Sequence, residues 1–227
     1  MRPWWRAGAL VAAGLAAVPA RADAWLEAVR AEAARMGPTA FERTSETTDR
    51  SGGVVRRVER FMPTGSGGQG AWTLVAVDGR PPTADERRRH AKEVAGLPPP
   101  GYWRLATILR GRVTLVRDAQ GRTVHRIRPL PEGSIRTARG DISADVAADA
   151  RIELVAGQPT VTSLRVFAPA PFSLMGVARM NRFEAQSRYE RGPDGRPLLV
   201  EQASEAEVRV PVVGTFRQTT RQTYRPL

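Results

Sequence analysis

Two histidines and a spaced row of aspartates are the groups best suited to chemistry in this chain. His90 falls within a charged helical stretch and His125 within a strand-like stretch, so local sequence does not bring them together. Each is expected to be a surface or hydrogen-bonded histidine rather than a base or a ligand. Asp141, Asp145 and Asp149 recur every four residues. A helix would align their carboxylates, and a strand would place them on one face. A divalent cation takes such oxygen ligands, but solvated acids on an amphipathic element are the simpler expectation. No G-x-S-x-G, H-E-x-x-H or Walker loop occurs. Nucleophilic catalysis needs a base positioned beside the nucleophile, and no such pair can be nominated. The expectation is a protein that is not an enzyme and that uses no cofactor and no metal.

Apolar and aromatic residues among proline corners stand out instead. Phe167, Phe172, Met175, Met180 and Phe183 lie close together in sequence, around Pro169 and Pro171. Phe41, Phe61, Trp72 and Leu74 come from an earlier section. Such side chains can simply fill a core. They can also line a cavity on one concave sheet face, a usual form of small-molecule site, and methionine would adapt that lining to flexible acyl chains. These nine residues are the candidate ligand-binding set.

The elements that must position them are mostly strands. Trp25, Leu26, Val29 and Ala33 recur at helical spacing after Asp23, a candidate cap, and Gly37-Pro38 stops the run. Residues 39–48 and 54–61 read as a hairpin, and 71–77 as a strand with Trp72, Leu74 and Ala76 on one face. Thr83 followed by Glu86 is a capping box, which predicts a helix from Ala84 to about Ala95. Prolines 98–100 then form a stiff spacer before a short helix at Tyr102–Leu109. Beyond Arg112 the pattern is nearly all β: 112–117 with 123–128, a strand near 142–154, then 160–168, 172–191, 197–210 and 215–225. Ser143 to Ala150 is open between strand and helix. In 197–210, Leu198, Val200, Ala206, Val208 and Val210 share a face with Gln202 and Ser204, while Glu201, Glu205, Glu207 and Arg209 share the other. One dry and one wet face fits an antiparallel sheet covered on one side. Strand 215–225 alternates Thr and Arg with Phe, Gln and Tyr, which suits a sheet edge.

The first 22 residues read as an export signal. Arg2 and Arg6 supply the positive start, Ala7 to Val18 the apolar run, and Ala20-Arg21-Ala22 the cleavage site. A spanning helix needs about 20 apolar residues, and this run is shorter. The chain has no cysteine, so neither a lipidated cysteine nor a disulfide is available. The expectation is a single periplasmic domain at 23–227, not lipid-anchored. Net charge is +12; three basic residues lie in the signal, leaving +9. Lys92 is the only lysine, and Arg87-Arg88-Arg89 is the only basic run. Scattered charge on an exported protein argues against nucleic acid. It reads as a solvated basic surface, or as attraction to an anionic membrane surface.

A signal, one helix, strands interrupted by a helical insertion after Trp72 to Gly79, and closing hairpins form an order that resembles the bacterial lipoprotein-localisation-factor superfamily, the LolA/LolB-like proteins. The resemblance covers most of 23–227 by element order. It implies an α+β fold: a mainly antiparallel, strongly curved sheet, an incomplete barrel, with two or three covering helices. It further implies a concave face that binds lipid or lipoprotein acyl chains. The carriers of that family hold their lid with an arginine; Arg43 lies in a comparable early strand, but the role is not carried across. The other reading is an envelope protein that binds a protein partner without a small ligand.

Overall fold

The computed structural model describes residues 17–48, 52–64, 70–137, 140–174, 176 and 178–227. The basic start and most of the apolar run of the expected signal lie outside them. Helix α1 (Ala17–Arg35) runs unbroken through the expected cleavage site, so Asp23 sits inside the helix rather than capping it. Pro19 is tolerated there because first-turn amides have no intrahelical acceptor. No helix among the described residues is long and apolar enough to cross a membrane.

Strands β1 (Phe41–Thr48), β2 (Val54–Pro63) and β3 (Gly70–Val77) form an antiparallel meander. Helix α2 (Ala84–Val94) follows with the anticipated capping box: Thr83 Oγ1 accepts from Glu86 N, and Glu86 accepts from Thr83 N. After the prolines, a 3-10 turn (Tyr102–Arg104) leads into α3 (Leu105–Ile108). Strands β4 (Val113–Arg117) and β5 (Thr123–Ile127) make a hairpin, and β6 (Arg136–Thr137) with β7 (Gly140–Asp141) a small ribbon. The ambiguous stretch divides: Ser143–Asp145 is a 3-10 turn, and Ala147 opens β8 (Ala147–Val155). Strands β9 (Gln158–Phe167), β10 (Phe172–Leu174), β11 (Ala178–Arg191), β12 (Pro197–Val210) and β13 (Gly214–Pro226) complete the chain.

The main sheet runs β3-β2-β1-β13-β12-β11-β9-β8-β5-β4, with β10 added beside β11. Every pairing in it is antiparallel. Its ends, β3 and β4, do not meet, so the sheet is open. Phe61 near one end and Ile127 near the other share one apolar core with Val29 of α1 and Leu105 of α3. The sheet therefore curves around a core that the helices cover, which is the α+β, incomplete-barrel class expected from the sequence.

Three face or edge expectations need correction. Strand β13 is not an edge: it lies between β1 and β12. Its polar residues are matched across the ladder, Arg217 by Glu205, Arg225 by Glu42, and Thr220 by Thr47. In β12, the register shift between Arg188 and Tyr189 of its partner skips Val200. Leu199 and Pro197 are thereby turned inward in place of Leu198 and Val200. In β3, the irregularity opposite Val58 and Glu59 breaks the alternation, so Val77 rather than Ala76 is buried with Leu74. A bulge reverses the facing of everything beyond it, and periodicity read from sequence assumes there is none.

The outer face carries much of the arginine charge, tied to acids. Glu205 bridges Arg182 and Arg217, Glu42 bridges Arg60 and Arg225, Glu184 pairs with Arg165, and Asp149 pairs with Arg126. The exposed pairs among these each contribute only about 0–1 kcal/mol, whereas Asp149 is itself buried beneath Arg126. Their effect here is to order a wet face and leave the apolar face inward.

Candidate functional site

At the β1–β3 end the inner face holds an aromatic cluster. Phe41 and Phe61 stack at 5.4 Å, Trp72 packs edge-on to Phe41 at 5.5 Å, and Tyr224 from β13 closes the other side at 5.4 Å. Register explains the convergence: Phe41 lies opposite Phe61 and Phe61 opposite Trp72.

One step along the same face is a buried polar chain. Arg43 Nε donates to Glu59 Oε2 at 2.7 Å, and Glu59 Oε1 meets His90 Nε2 at 2.7 Å. Arg43 also lies over the Trp72 ring, 4.5 Å from its centroid. Glu59 is 3% exposed. Burial alone would raise its pKa, but the hydrogen bonds from His90 and Arg43 prevail and hold it at about 2. An ionised carboxylate only accepts, so the His90 Nε2 carries the proton in this bond. Burial works against the Arg43 charge too, yet Glu59 more than offsets it and raises its pKa. His90 stands on α2, so this chain fixes the helix to the sheet.

Between the C-terminal end of α2 and the cluster lies an open cleft of about 780 Å³. Phe61, Trp72, Val94, Leu97, Pro98 and Pro99 give it apolar walls, and Arg104 and Arg136 border it. Ligand pockets run to roughly 300–1,000 Å³, so the size is suitable. Elsewhere the inner face is not uniformly apolar. Ser187, Gln202, Gln222 and Tyr224 form a hydrogen-bonded patch on it: Gln202 donates to Ser187, and the Tyr224 hydroxyl contacts both glutamine carbonyls.

The nine candidate residues therefore separate. Phe61 and Trp72 line the cleft and Phe41 packs against both, while Leu74 is buried opposite Glu59 and is not part of that cluster. Phe172 and Met180 face each other across β10 and β11 in the main core, with Phe183 packed against it. Phe167 points outward, where Arg165 and Arg126 lie over its ring at 4.5 and 5.4 Å; it shares the face of Arg165 and is not part of a concave lining. Met175 lies outside the described residues.

His125 is remote from His90 in its surroundings, with Nε2 3.4 Å from the Ala22 carbonyl and burial lowering its pKa. The aspartate row does not form. Asp141 accepts from the amides of Gly133 and Ser143, Asp145 is exposed, and Asp149 pairs with Arg126. Among the described residues no group of three acids or histidines is placed to hold a metal.

The sequence reading missed Glu59, Arg104 and Arg136. Glu59 carried a signal: it alternates with Phe61 and so occupies an inward position. The two arginines carried none, since they lie far apart in sequence, one on the 3-10 turn before α3 and one on the short strand β6. Comparison with protein-family models, curated proteins and solved structures finds no match to this chain.

Proposed function

We propose that this protein is a non-enzymatic, periplasmic binding protein that takes a hydrophobic ligand, a lipid or lipoprotein acyl chain, in the cleft between α2 and the aromatic end of the curved sheet. The observation that carries this reading is the cleft itself: about 780 Å³, open to solvent, walled by Trp72, Phe61, Val94 and Leu97. The open antiparallel sheet with covering helices is also the architecture that the LolA/LolB-like resemblance implies, although fold alone does not assign function. Export rests on the basic start, apolar run and A-x-A site at the N-terminus. Native mass spectrometry of protein gently extracted from its host tests the reading. A bound lipid that Trp72→Asp abolishes is the expected result. Protein that is ligand-free in every preparation, and that takes up no acyl probe, would sink the idea.

The second reading, an envelope protein that binds a protein partner, draws on β3 and β4, the end strands of the open sheet among the described residues. Pull-down from envelope extract with edge-blocking proline substitutions in β4 separates it from the first.

A further inference from the structure

Arg104 stands on the 3-10 turn after the prolines, and Arg136 on β6. They converge on Gly133. Arg104 Nη2 donates to the carbonyls of Gly133 at 3.2 Å and Ser134 at 2.7 Å. The Arg136 Nε and Nη2 would lie 3.6 and 3.7 Å from a Cβ at Gly133. Among the described residues neither arginine has a carboxylate within ion-pair distance, whereas Arg43, Arg126, Arg165 and Arg191 each hold one. Asp141, on β7 opposite Arg136, accepts from Gly133 N, Ser143 N and the Ser143 hydroxyl. Burial lowers the pKa of Arg104 and the charge of Arg136 adds to this, while the Asp141 carboxylate acts on both arginines and offsets part of it. Arg104 is half-buried and Arg136 exposed. Two like charges thus converge at the cleft border with only the Asp141 carboxylate near them and no direct ion pair among the described residues; an added anion between them would be favoured.

Resting on the binding reading above, we propose that Arg104 and Arg136 are the head-group subsite of the cleft and select an amphiphile with an anionic phosphate or carboxylate head, its chain lying along Trp72 and Leu97. The guanidinium fork matches such oxygens in a bidentate manner. Titration calorimetry with dodecyl phosphate, dodecanoate, dodecanol and inorganic phosphate tests this. The two anionic amphiphiles should bind roughly tenfold or more tightly than dodecanol, the scale of a hydrogen bond to a charged group. Arg136→Gln, an exposed change that leaves the core intact, should remove that advantage and leave dodecanol unaffected; Arg104→Gln should do the same. Equal binding of dodecanol and dodecyl phosphate, or an unchanged Arg136→Gln, overturns the head-group assignment while the cleft still binds chains. Inorganic phosphate binding as tightly as dodecyl phosphate overturns the lipid source and leaves a free-anion site. Failure of every amphiphile to bind overturns the proposed function itself.

An independent observation concerns the tip of the β12–β13 hairpin. Val212 is fully exposed with φ +68°, and Val213 is also exposed. A β-branched residue is a conformational outlier in that left-handed region. Directly behind the tip, Arg179 and Arg209 face each other in register. Like charges placed opposite are destabilising, and among the described residues neither has an acid partner, unlike Arg182 and Arg217 further along. Exposed valines at a projecting end, backed by two unpaired cations, suit shallow insertion at an anionic bilayer. We infer that this tip docks the protein on an anionic lipid surface. Co-sedimentation with vesicles of phosphatidylglycerol, against vesicles of phosphatidylcholine, tests it. Arg179→Gln and Arg209→Gln should each weaken phosphatidylglycerol binding roughly fivefold, Val212→Ser with Val213→Ser should weaken it further, and Arg136→Gln should not. Equal binding to both vesicle types, or binding indifferent to the tip variants, overturns the inference.

Discussion

Replacing Glu59 by glutamine removes the carboxylate that joins Arg43 to His90 while keeping the shape of the side chain. Two consequences have a magnitude. At neutral pH the Arg43 guanidinium is left buried against Trp72 without its anion. Breaking a buried pair by removing one partner destabilises by roughly 3–5 kcal/mol. The second consequence is in the acid limb. The Glu59 carboxyl is held at about 2, against an ordinary value of 4.5. At about 1.4 kcal/mol per unit, that is about 3 kcal/mol of stability. A depressed carboxyl contributes fully above its unfolded-state value, and the contribution is lost as pH falls from about 4.5 towards about 2. Glu42 and Asp118 are also depressed and give the protein some acid lability of their own, so the difference between the two proteins isolates Glu59. Urea unfolding followed by tryptophan fluorescence at neutral pH, and again at several pH values down to the acid limit, reads both effects. The wild type should lose about 3 kcal/mol more than the variant across the acid limb. A variant less than about 1 kcal/mol weaker at neutral pH, or one with the same acid slope as the wild type, would refute the buried-pair reasoning.

Thr83→Ala removes the cap of α2 and should lower stability by about 1 kcal/mol, seen as a lower Tm; Thr83→Ser should restore most of it. Gly70→Ala places a Cβ 2.3 Å from the Phe61 ring and 2.5 Å from the Met62 carbonyl. Because backbone cannot move aside as a side chain can, it should be destabilised by roughly 1–3 kcal/mol, with a changed near-ultraviolet circular dichroism from the Phe61–Trp72 contact. Val212→Gly relieves a β-branched residue at φ +68° and should leave the protein equally stable or up to about 1 kcal/mol more stable, while weakening membrane docking. Thermal unfolding of that variant checks the first part and vesicle co-sedimentation the second.

The local elements were legible from sequence because their causes are local. Thr83 and Glu86 alone specify the start of α2, since a cap needs only the residues of one turn. Alternation and turn residues gave the hairpins and hence the antiparallel class. The open, curved sheet with covering helices, implied by the element-order resemblance to the LolA/LolB-like proteins, is what the chain forms. What sequence could not supply was the identity of distant partners. Strand β13 reads as an edge because its side chains are polar, yet its place between β1 and β12 satisfies them with Glu42, Glu201 and Glu205. Phe167 reads as cavity lining by composition, but its parity with Arg165 sends it outward. The skipped Val200 exchanges Leu198 for Leu199 on the buried face. The same limit governs the site. Phe61 and Trp72 could be proposed as aromatic material, but Arg104 and Arg136 meet at Gly133 only once the prolines, the 3-10 turn and β6 are folded together. Propensity, capping and turn chemistry act within a few residues and are written in the sequence. Register across a bulge, the choice of neighbouring strand and the convergence of charges over a long separation are settled by packing the whole sheet around one core, and only the tertiary structure decides them.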